Sequence, residues 1–120
     1  MANLVVWVDI PVLDLERAAR FYSAVLAGEV RMQDYPGRKI GLLPGAEPNV
    51  TGCLYTREGE QPSTKGPVVY LSVQGRLDEA IAQVEAHGGK ILKAKHSISP
   101  YGYRAIILDS EGNRIALHSM

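Results

Sequence analysis

The sequence predicts an α+β fold built from two βαβββ modules. An apolar strand, a short amphipathic helix and a glycine followed by β-prone runs occur twice along the chain. The two copies lie 61 positions apart, measured either from Val12 to Val73 or from Gly28 to Gly89, in a chain of 120 residues. A module of about 60 residues has little core of its own. We therefore expect residues 1–120 to form a single domain whose two halves share a core or pack on a partner chain.

The first module covers about residues 1–56 and opens with an apolar strand over 5–12. A helix over 14–26 follows, because apolar side chains recur there at helical spacing, with Asp14 placed as the N-cap and Gly28 just beyond the end. The rest of the module is predicted to contain three strands, separated by turns rich in Pro and Gly. These strands are expected over 29–32, 38–43 and 51–56.

A polar segment without aliphatic or aromatic residues, about 57–66, is predicted to link the modules. The second module covers about 67–120 and opens with a strand over 68–73. A helix over 76–87 then ends at a pair of glycines. The three remaining strands are expected over 90–97, 103–109 and 114–119.

Composition narrows the classes of partner. The chain carries 13 Lys and Arg against 13 Asp and Glu, without a run of like charges. This balance favours neither nucleic acid nor an anionic membrane, so the expected partner is a small molecule. Apolar stretches of strand length and an N-terminus without a secretory pattern predict a cytoplasmic protein. The lone Cys53 allows no intramolecular disulfide and is expected to be a buried strand residue.

Strand alternation predicts which side chains line a ligand site, because successive residues point to opposite faces of a sheet. The residues expected beneath the helices are Val6, Val8 and Ile10 in the first strand and Val69, Leu71 and Val73 in the fifth. The opposite face is mixed in character, as is usual for a small-molecule site. The predicted ligand-binding residues on that face are Trp7, Asp9, Val68, Tyr70, Ser72, Arg114, Ala116 and His118.

Asp9 and His118 are the candidate catalytic residues, as an acid–base pair. A carboxylate in an apolar strand is costly unless it is paired or reaches water, so Asp9 is either a site residue or a strand-end residue bonded to a nearby backbone N–H. Trp7 is either a ligand surface or a core or interface residue. His87 is expected at the surface and His96 in a loop or edge strand. The sequence contains no local motif for a metal, a phosphate loop or a hydrolase nucleophile.

Two segments resemble the opening and closing signatures of the vicinal oxygen chelate superfamily, the glyoxalase/bleomycin-resistance/dioxygenase group. They are DIPVLDLERAARFY at 9–22 and DSEGNRIALH at 109–118. With the repeated module, the resemblance covers essentially the whole chain. It implies a cupped, mostly antiparallel sheet with the helices on its outer face. It also implies a homodimer, since family members often associate through strand edges or sheet faces.

Metal-dependent members of this superfamily place a His on the first strand of a module and a Glu or similar ligand on the last. The positions that the resemblance assigns to these ligands hold Trp7, Val68, Ala116 and, near the end of the first module, Leu54 or Tyr55. No expected ligand is present, so the resemblance implies neither a metal nor another cofactor. Only Asp9 and His118 could serve, and two protein ligands are fewer than catalytic metals usually have.

The leading hypothesis is a metal-independent small-molecule binding protein of the glyoxalase/bleomycin-resistance type, which sequesters a drug or an aromatic metabolite. Trp7 and Tyr70 would then stack on the ligand, while Asp9, Arg114 or His118 orient its polar groups. The alternative is a lyase- or dioxygenase-like enzyme that uses Asp9 and His118 as acid–base groups or as unconventional metal ligands. A third hypothesis is a dimeric interaction domain with a vestigial pocket.

Overall fold

The computed structural model of the chain describes residues 3–45 and 50–120, apart from the side chain of residue 35. The elements confirm the α+β fold class and the two βαβββ modules. They are β1 (Val8–Pro11), α1 (Leu15–Leu26), β2 (Arg31–Tyr35), β3 (Arg38–Leu42), β4 (Gly52–Tyr55), β5 (Val69–Ser72), α2 (Leu77–Ala86), β6 (Lys90–Ser97), β7 (Tyr103–Leu108) and β8 (Arg114–Ser119).

Each module forms its own four-stranded sheet, in the order β1-β4-β3-β2 for the first and β5-β8-β7-β6 for the second. In both sheets the first and last strands of the module pair in parallel, and the other neighbours are antiparallel. The chain thus forms two separate mixed sheets rather than one continuous cupped sheet, and their four antiparallel pairings outnumber the two parallel ones, as expected.

The first strand is shorter than predicted. β1 begins only at Val8, which lies opposite Gly52 at the start of β4, so residues 5–7 have no partner strand in the described part of the chain. Val6 is 70% exposed, and the prediction that it packs beneath a helix is wrong. Val8 and Ile10 do contact the core, as predicted. In the second module, Val69, Leu71 and Val73 also join the core as expected.

Helix α1 begins as the sequence predicts. The Asp14 carboxylate accepts a hydrogen bond from the Arg17 backbone N–H at 3.0 Å and caps the first turn. At the other end, the left-handed residue is Ala27, with φ 53°, rather than Gly28. Gly28 is instead required by close packing, because a Cβ there would lie 2.9 Å from the Cβ of Pro44.

One hydrophobic core joins the modules. Helices α1 and α2 contact each other, and the helix-facing sides of both sheets pack into the same cluster. Its fully buried members include Phe21, Tyr22, Val25 and Leu54 from the first module and Ala80, Val84, Ile107 and Leu117 from the second. Burying each large apolar side chain contributes about 1.5–3 kcal/mol. Because the helices meet in the middle, the opposite face of each sheet is left open.

A polar network at the turn between β7 and β8 also ties the modules together. Glu111, whose side chain is 0% exposed, accepts hydrogen bonds from the backbone N–H groups of Leu13 and Asp14 and from the Arg17 guanidinium. Burial alone raises the pKa of Glu111, but these bonds and one from Ser110 lower it to about 2. The closing signature therefore has a structural role in this chain.

Neither helix in the described residues is long and apolar enough to cross a membrane.

Candidate functional site

A cavity of about 270 Å³ opens on the face of the first sheet that points away from the helices. The alternation of side chains along each strand explains which residues form the cavity wall. Asp9 lies directly opposite Cys53 in the parallel β1–β4 pair, so the two side chains share this face, whereas Leu54 points into the core. The lining residues are Trp7, Asp9, Arg38, Ile40, Cys53, Tyr55, Arg57 and Glu60.

Asp9 organises the cavity. Its Oδ1 accepts a hydrogen bond from Trp7 Nε1 at 2.9 Å and another from Cys53 Sγ at 3.3 Å. Burial, reinforced by the Asp9 carboxylate, raises the pKa of Cys53 to about 11, so the thiol is a protonated donor at neutral pH and a poor nucleophile. The indole of Trp7, which is 44% exposed, is held by Asp9 as a wall of the cavity.

The linker contributes a wall that the sequence did not reveal. The Tyr55 hydroxyl donates to the Glu60 carboxylate, and Arg57 Nη1 lies 3.3 Å from Glu60 Oε2. The hydrogen bond to Glu60, together with burial, raises the pKa of Tyr55 to about 12. Arg57 and Glu60 fall in the segment predicted only to connect the modules. The sequence offered one signal for this contact, the spacing of three residues between Arg57 and Glu60. An isolated β-bridge brings these two residues together.

The other predicted site residues belong to the second sheet. Tyr70 lies opposite Ala116, which is fully buried, and Ser72 lies opposite His118. The rings of Tyr70 and His118 have centroids 6.2 Å apart. The His118 Nε2–H donates to the carbonyl of Tyr101 at 2.6 Å, which leaves Nδ1 as the free ring nitrogen.

Arg114 and Val68 lie near the linker end of the same sheet. The guanidinium of Arg114 donates to the carbonyl of Gly66, while its Nε is buried without a hydrogen-bond partner among the described residues. Val68 is half-buried just before β5.

The predicted set of site residues therefore divides into two groups. Trp7 and Asp9 line the cavity of the first sheet, and no residue of the second sheet is part of that lining. Within the described residues, Asp9 and His118 share neither a hydrogen bond nor an ion pair. A single chain thus brings together Trp7 with Asp9, and Tyr70 with His118, but joins neither pair to the other by a hydrogen bond.

The ligand positions implied by the resemblance do not fit a divalent cation. Register shows that Cys53, opposite Asp9, is the first-module equivalent of Ala116, opposite Tyr70. The expectation that this position falls on Leu54 or Tyr55 is therefore wrong, because Leu54 is fully buried in the core and Tyr55 lies beyond Cys53 in β4. An indole, a valine and an alanine supply no metal donor, and the Cys53 thiol alone is fewer ligands than a metal site needs. Across the described ranges, no group of three or more His, Cys, Asp or Glu side chains could hold a metal.

Comparison with known proteins gives one family. The model of the Glyoxalase/Bleomycin resistance protein/Dioxygenase superfamily matches residues 4–117. No curated protein matches the chain.

Solved structures share the fold at low sequence identity. A glyoxalase/bleomycin resistance protein from Albidiferax ferrireducens is 23% identical with a TM-score of 0.78, and the match covers 98% of this chain and 99% of that one. Glyoxalase I of Leishmania major, described as trypanothione-dependent, is 22% identical with a TM-score of 0.68, over 98% and 87% of the two chains. The fosfomycin resistance protein of Listeria monocytogenes is 16% identical with a TM-score of 0.71, over 100% and 92%.

Proposed function

The chain belongs to the Glyoxalase/Bleomycin resistance protein/Dioxygenase superfamily, and we propose that it is a metal-independent member that binds and sequesters a small aromatic molecule. The observation that carries the proposal is the cluster of Trp7, Asp9 and Cys53. It offers only two metal-donor side chains, Asp9 and Cys53, which are hydrogen-bonded to each other beside an indole, whereas a catalytic metal usually has three or more protein ligands. Such a cluster supports binding better than metal chemistry.

Aromatic recognition is supported by the fixed indole. Because Asp9 holds Trp7 Nε1, little side-chain freedom remains to be lost when a ligand stacks on the ring. Tyr55 stands on the same face and is held by Glu60. A cavity of about 270 Å³ suits a small aromatic molecule rather than a large ligand.

The alternative, an enzyme in which Asp9 and His118 act as an acid–base pair, has less support. Its two groups lie on different sheets, and each already has other partners: Asp9 accepts from Trp7 and Cys53, and His118 donates to Tyr101. The assignment of residues 1–120 to a single domain, the module bounds of about 1–56 and 67–120, and the cytoplasmic location stay predictions of the sequence.

We also propose a homodimer that completes the site. The open face of the first sheet in one copy would meet the open face of the second sheet in the other, so that Trp7 and Tyr70 of different copies enclose the ligand. Support comes from the outer edge of β1, which pairs with no strand among the described residues, and from the exposed apolar residues that precede β1. Leu4, Val5, Val6 and Trp7 are 87%, 68%, 70% and 44% exposed.

Metal analysis and ligand titration together test the proposed function. Protein purified without chelators should contain no stoichiometric zinc, iron, manganese or nickel. Addition of 2-naphthol should quench the fluorescence of Trp7, the only tryptophan. Calorimetry should show that Trp7→Ala weakens 2-naphthol binding about tenfold, because the stacking surface is lost. Leu13→Ala, a change at an exposed apolar residue outside the cavity, is the control. Stoichiometric metal, or equal binding by Trp7→Ala and the parent protein, would contradict the proposal.

A further inference from the structure

The open face of the second sheet concentrates positive charge. Register aligns Ser72, His118, Arg104 and His96 in one row across β5, β8, β7 and β6. Directly paired side chains point to the same face, so this row lies on the open side, where Ser72 is exposed and His118, Arg104 and His96 are half-buried. The next two rows add cations and no acid. They comprise Tyr70, Ala116, Ile106 and Lys93, and then Arg114, Leu108 and Lys90.

Arg104 is held in place by neutral partners. Its Nε–H donates to His96 Nε2 at 2.9 Å, and an Nη1–H donates to the Tyr70 hydroxyl. His96 Nδ1 donates in turn to the carbonyl of Ala94 at 2.8 Å, which fixes the tautomer that leaves Nε2 able to accept. Among the described residues no carboxylate lies within ion-pair distance of Arg104. Its charge is therefore uncompensated, and its remaining Nη protons are available.

Tyr70 supplies a second donor at the same place. Because its oxygen accepts from Arg104, its own hydroxyl proton is free to donate to another group. The Arg104 Cζ lies 5.9 Å from the centroid of the Tyr70 ring, which is 46% exposed. A guanidinium and a phenol that both donate from one open surface suit an oxygen anion, since charge-assisted hydrogen bonds are the strong ones.

We propose that this face binds an oxyanion, the phosphate or carboxylate group of the ligand, with Arg104 and Tyr70 as its donors and His96 as the residue that positions Arg104. The free Nδ1 of His118, in the same row, can accept from a hydroxyl of the ligand. This inference rests on the proposed binding function and on the proposed homodimer, which brings this face against the Trp7 cavity of the other copy. It specifies the ligand as an aromatic anion rather than a neutral aromatic molecule.

Calorimetric titration with phenyl phosphate, benzoate and benzyl alcohol at low ionic strength tests the inference. At least one of the two anions should bind about tenfold more tightly than benzyl alcohol. Arg104→Gln should lower the affinity for that anion about tenfold or more and leave the affinity for benzyl alcohol unchanged. Tyr70→Phe should lower the affinity for the anion several-fold. Arg31→Gln is the matched control, because Arg31 is an exposed arginine in β2 of the other sheet. Whichever of the two anions binds with the higher affinity identifies the ligand group as phosphate or carboxylate.

His96 is tested by a pair of variants. His96→Gln retains an oxygen that can accept from Arg104 and should preserve anion binding, whereas His96→Leu should weaken it without changing the affinity for benzyl alcohol. Equal weakening by both variants would remove the positioning role. If the anions bind no more tightly than benzyl alcohol, or Arg104→Gln leaves their affinity unchanged, the oxyanion inference is wrong. Binding of benzyl alcohol that depends on Trp7 would then still leave the proposed function standing, whereas no binding of any probe would overturn both.

Discussion

Asp9 lines the cavity of the first sheet, in keeping with the first of the two environments that the sequence suggested for it. Its carboxylate accepts from side chains rather than from a backbone N–H. Its carboxylate is exposed to solvent at the edge strand β1, which lowers the cost of the charge, and it accepts from two side chains of its own sheet face. Its role is therefore to orient Trp7 and to keep the Cys53 thiol protonated.

Asp9→Asn separates the charge of this residue from its hydrogen bonds. The amide oxygen can still accept from Trp7, but the negative charge beside Cys53 is gone. We expect the pKa of Cys53 to fall below about 11 toward the ordinary range, although burial will keep it raised.

The pH dependence of alkylation by iodoacetamide measures this shift directly, because Cys53 is the only cysteine. Asp34→Asn, a change at an exposed acid in β2, is the control and should leave the profile unchanged. An unchanged or higher midpoint in Asp9→Asn would show that the carboxylate does not act on the thiol.

The residues of the two faces were predictable to different extents. Alternation is a local property, so Trp7 and Asp9 could be assigned to one face of β1 from the sequence alone. Arg104 could have been found by extending the same alternation into β7, where Ala105 and Ile107 are core residues. Its contact with His96 could not, because two irregularities shift the β6–β7 register and the sequence does not mark them.

At the scale of elements, the closing signature is explained by packing rather than by chemistry. Asp109 Oδ2 accepts from the Tyr22 hydroxyl of α1 at 2.5 Å, and Asn113 Nδ2 donates to the carbonyl of Pro11 at 2.8 Å. With Glu111, these residues join the β7–β8 turn to the segment between β1 and α1. Both segments that resemble the superfamily signatures are thus halves of one interface between modules.

Acid should weaken this interface. The pKa of Glu111 is about 2 in the folded chain, below its ordinary value, so the unfolded chain binds more protons between those two values. The contribution of Glu111 is therefore fully present above the ordinary pKa, about 4.5, and is lost as the pH falls toward 2. We expect Glu111→Gln to lower the free energy of unfolding at pH 7 by about 2–3 kcal/mol, and to reduce the loss of stability in that pH window.

Urea unfolding between pH 7 and pH 2.5 measures both effects of Glu111→Gln. Glu29→Gln, which replaces an exposed acid, should change stability by less than about 0.5 kcal/mol and leave the pH dependence intact. A Glu111→Gln variant that keeps the full acid sensitivity would place the responsible groups elsewhere.

The ends of the elements show where sequence patterns stop being informative. Hydrophobic periodicity predicted a strand from Val5, but a strand needs a neighbour, and β4 offers one only from Gly52 onward. The β2 strand runs on to Tyr35, beyond the predicted 29–32, because Pro36 and Gly37 alone turn the chain. Gly37 takes the positive φ, 83°, that this tight turn requires.

At the scale of the whole molecule, the repeat predicted two similar modules but not which of their surfaces meet. Periodicity identifies the apolar side of each helix and sheet, and both modules bury that side in one core. Strand alternation does not show which surface packs against the open faces, because that depends on tertiary or quaternary contacts. This is why Trp7 and Tyr70, predicted in a single site, lie in separate groups within one chain.

The apolar segment before β1 tests whether a second copy joins those groups. An unpaired sheet edge with exposed apolar neighbours is a template for association, and the protein should sediment as a dimer at micromolar concentration.

Val6→Asp places a charge in this segment and should shift the protein to monomers while its circular dichroism stays unchanged, since Val6 is 70% exposed. Leu13→Asp is the matched control, because Leu13 is also an exposed apolar residue, 62% accessible, but lies between β1 and α1 rather than before β1. If the site spans two copies, Val6→Asp should also lose the tight binding of aromatic anions and Leu13→Asp should retain it. A monomeric parent protein would contradict the proposed homodimer, and a Val6→Asp dimer would show that this segment does not form the interface.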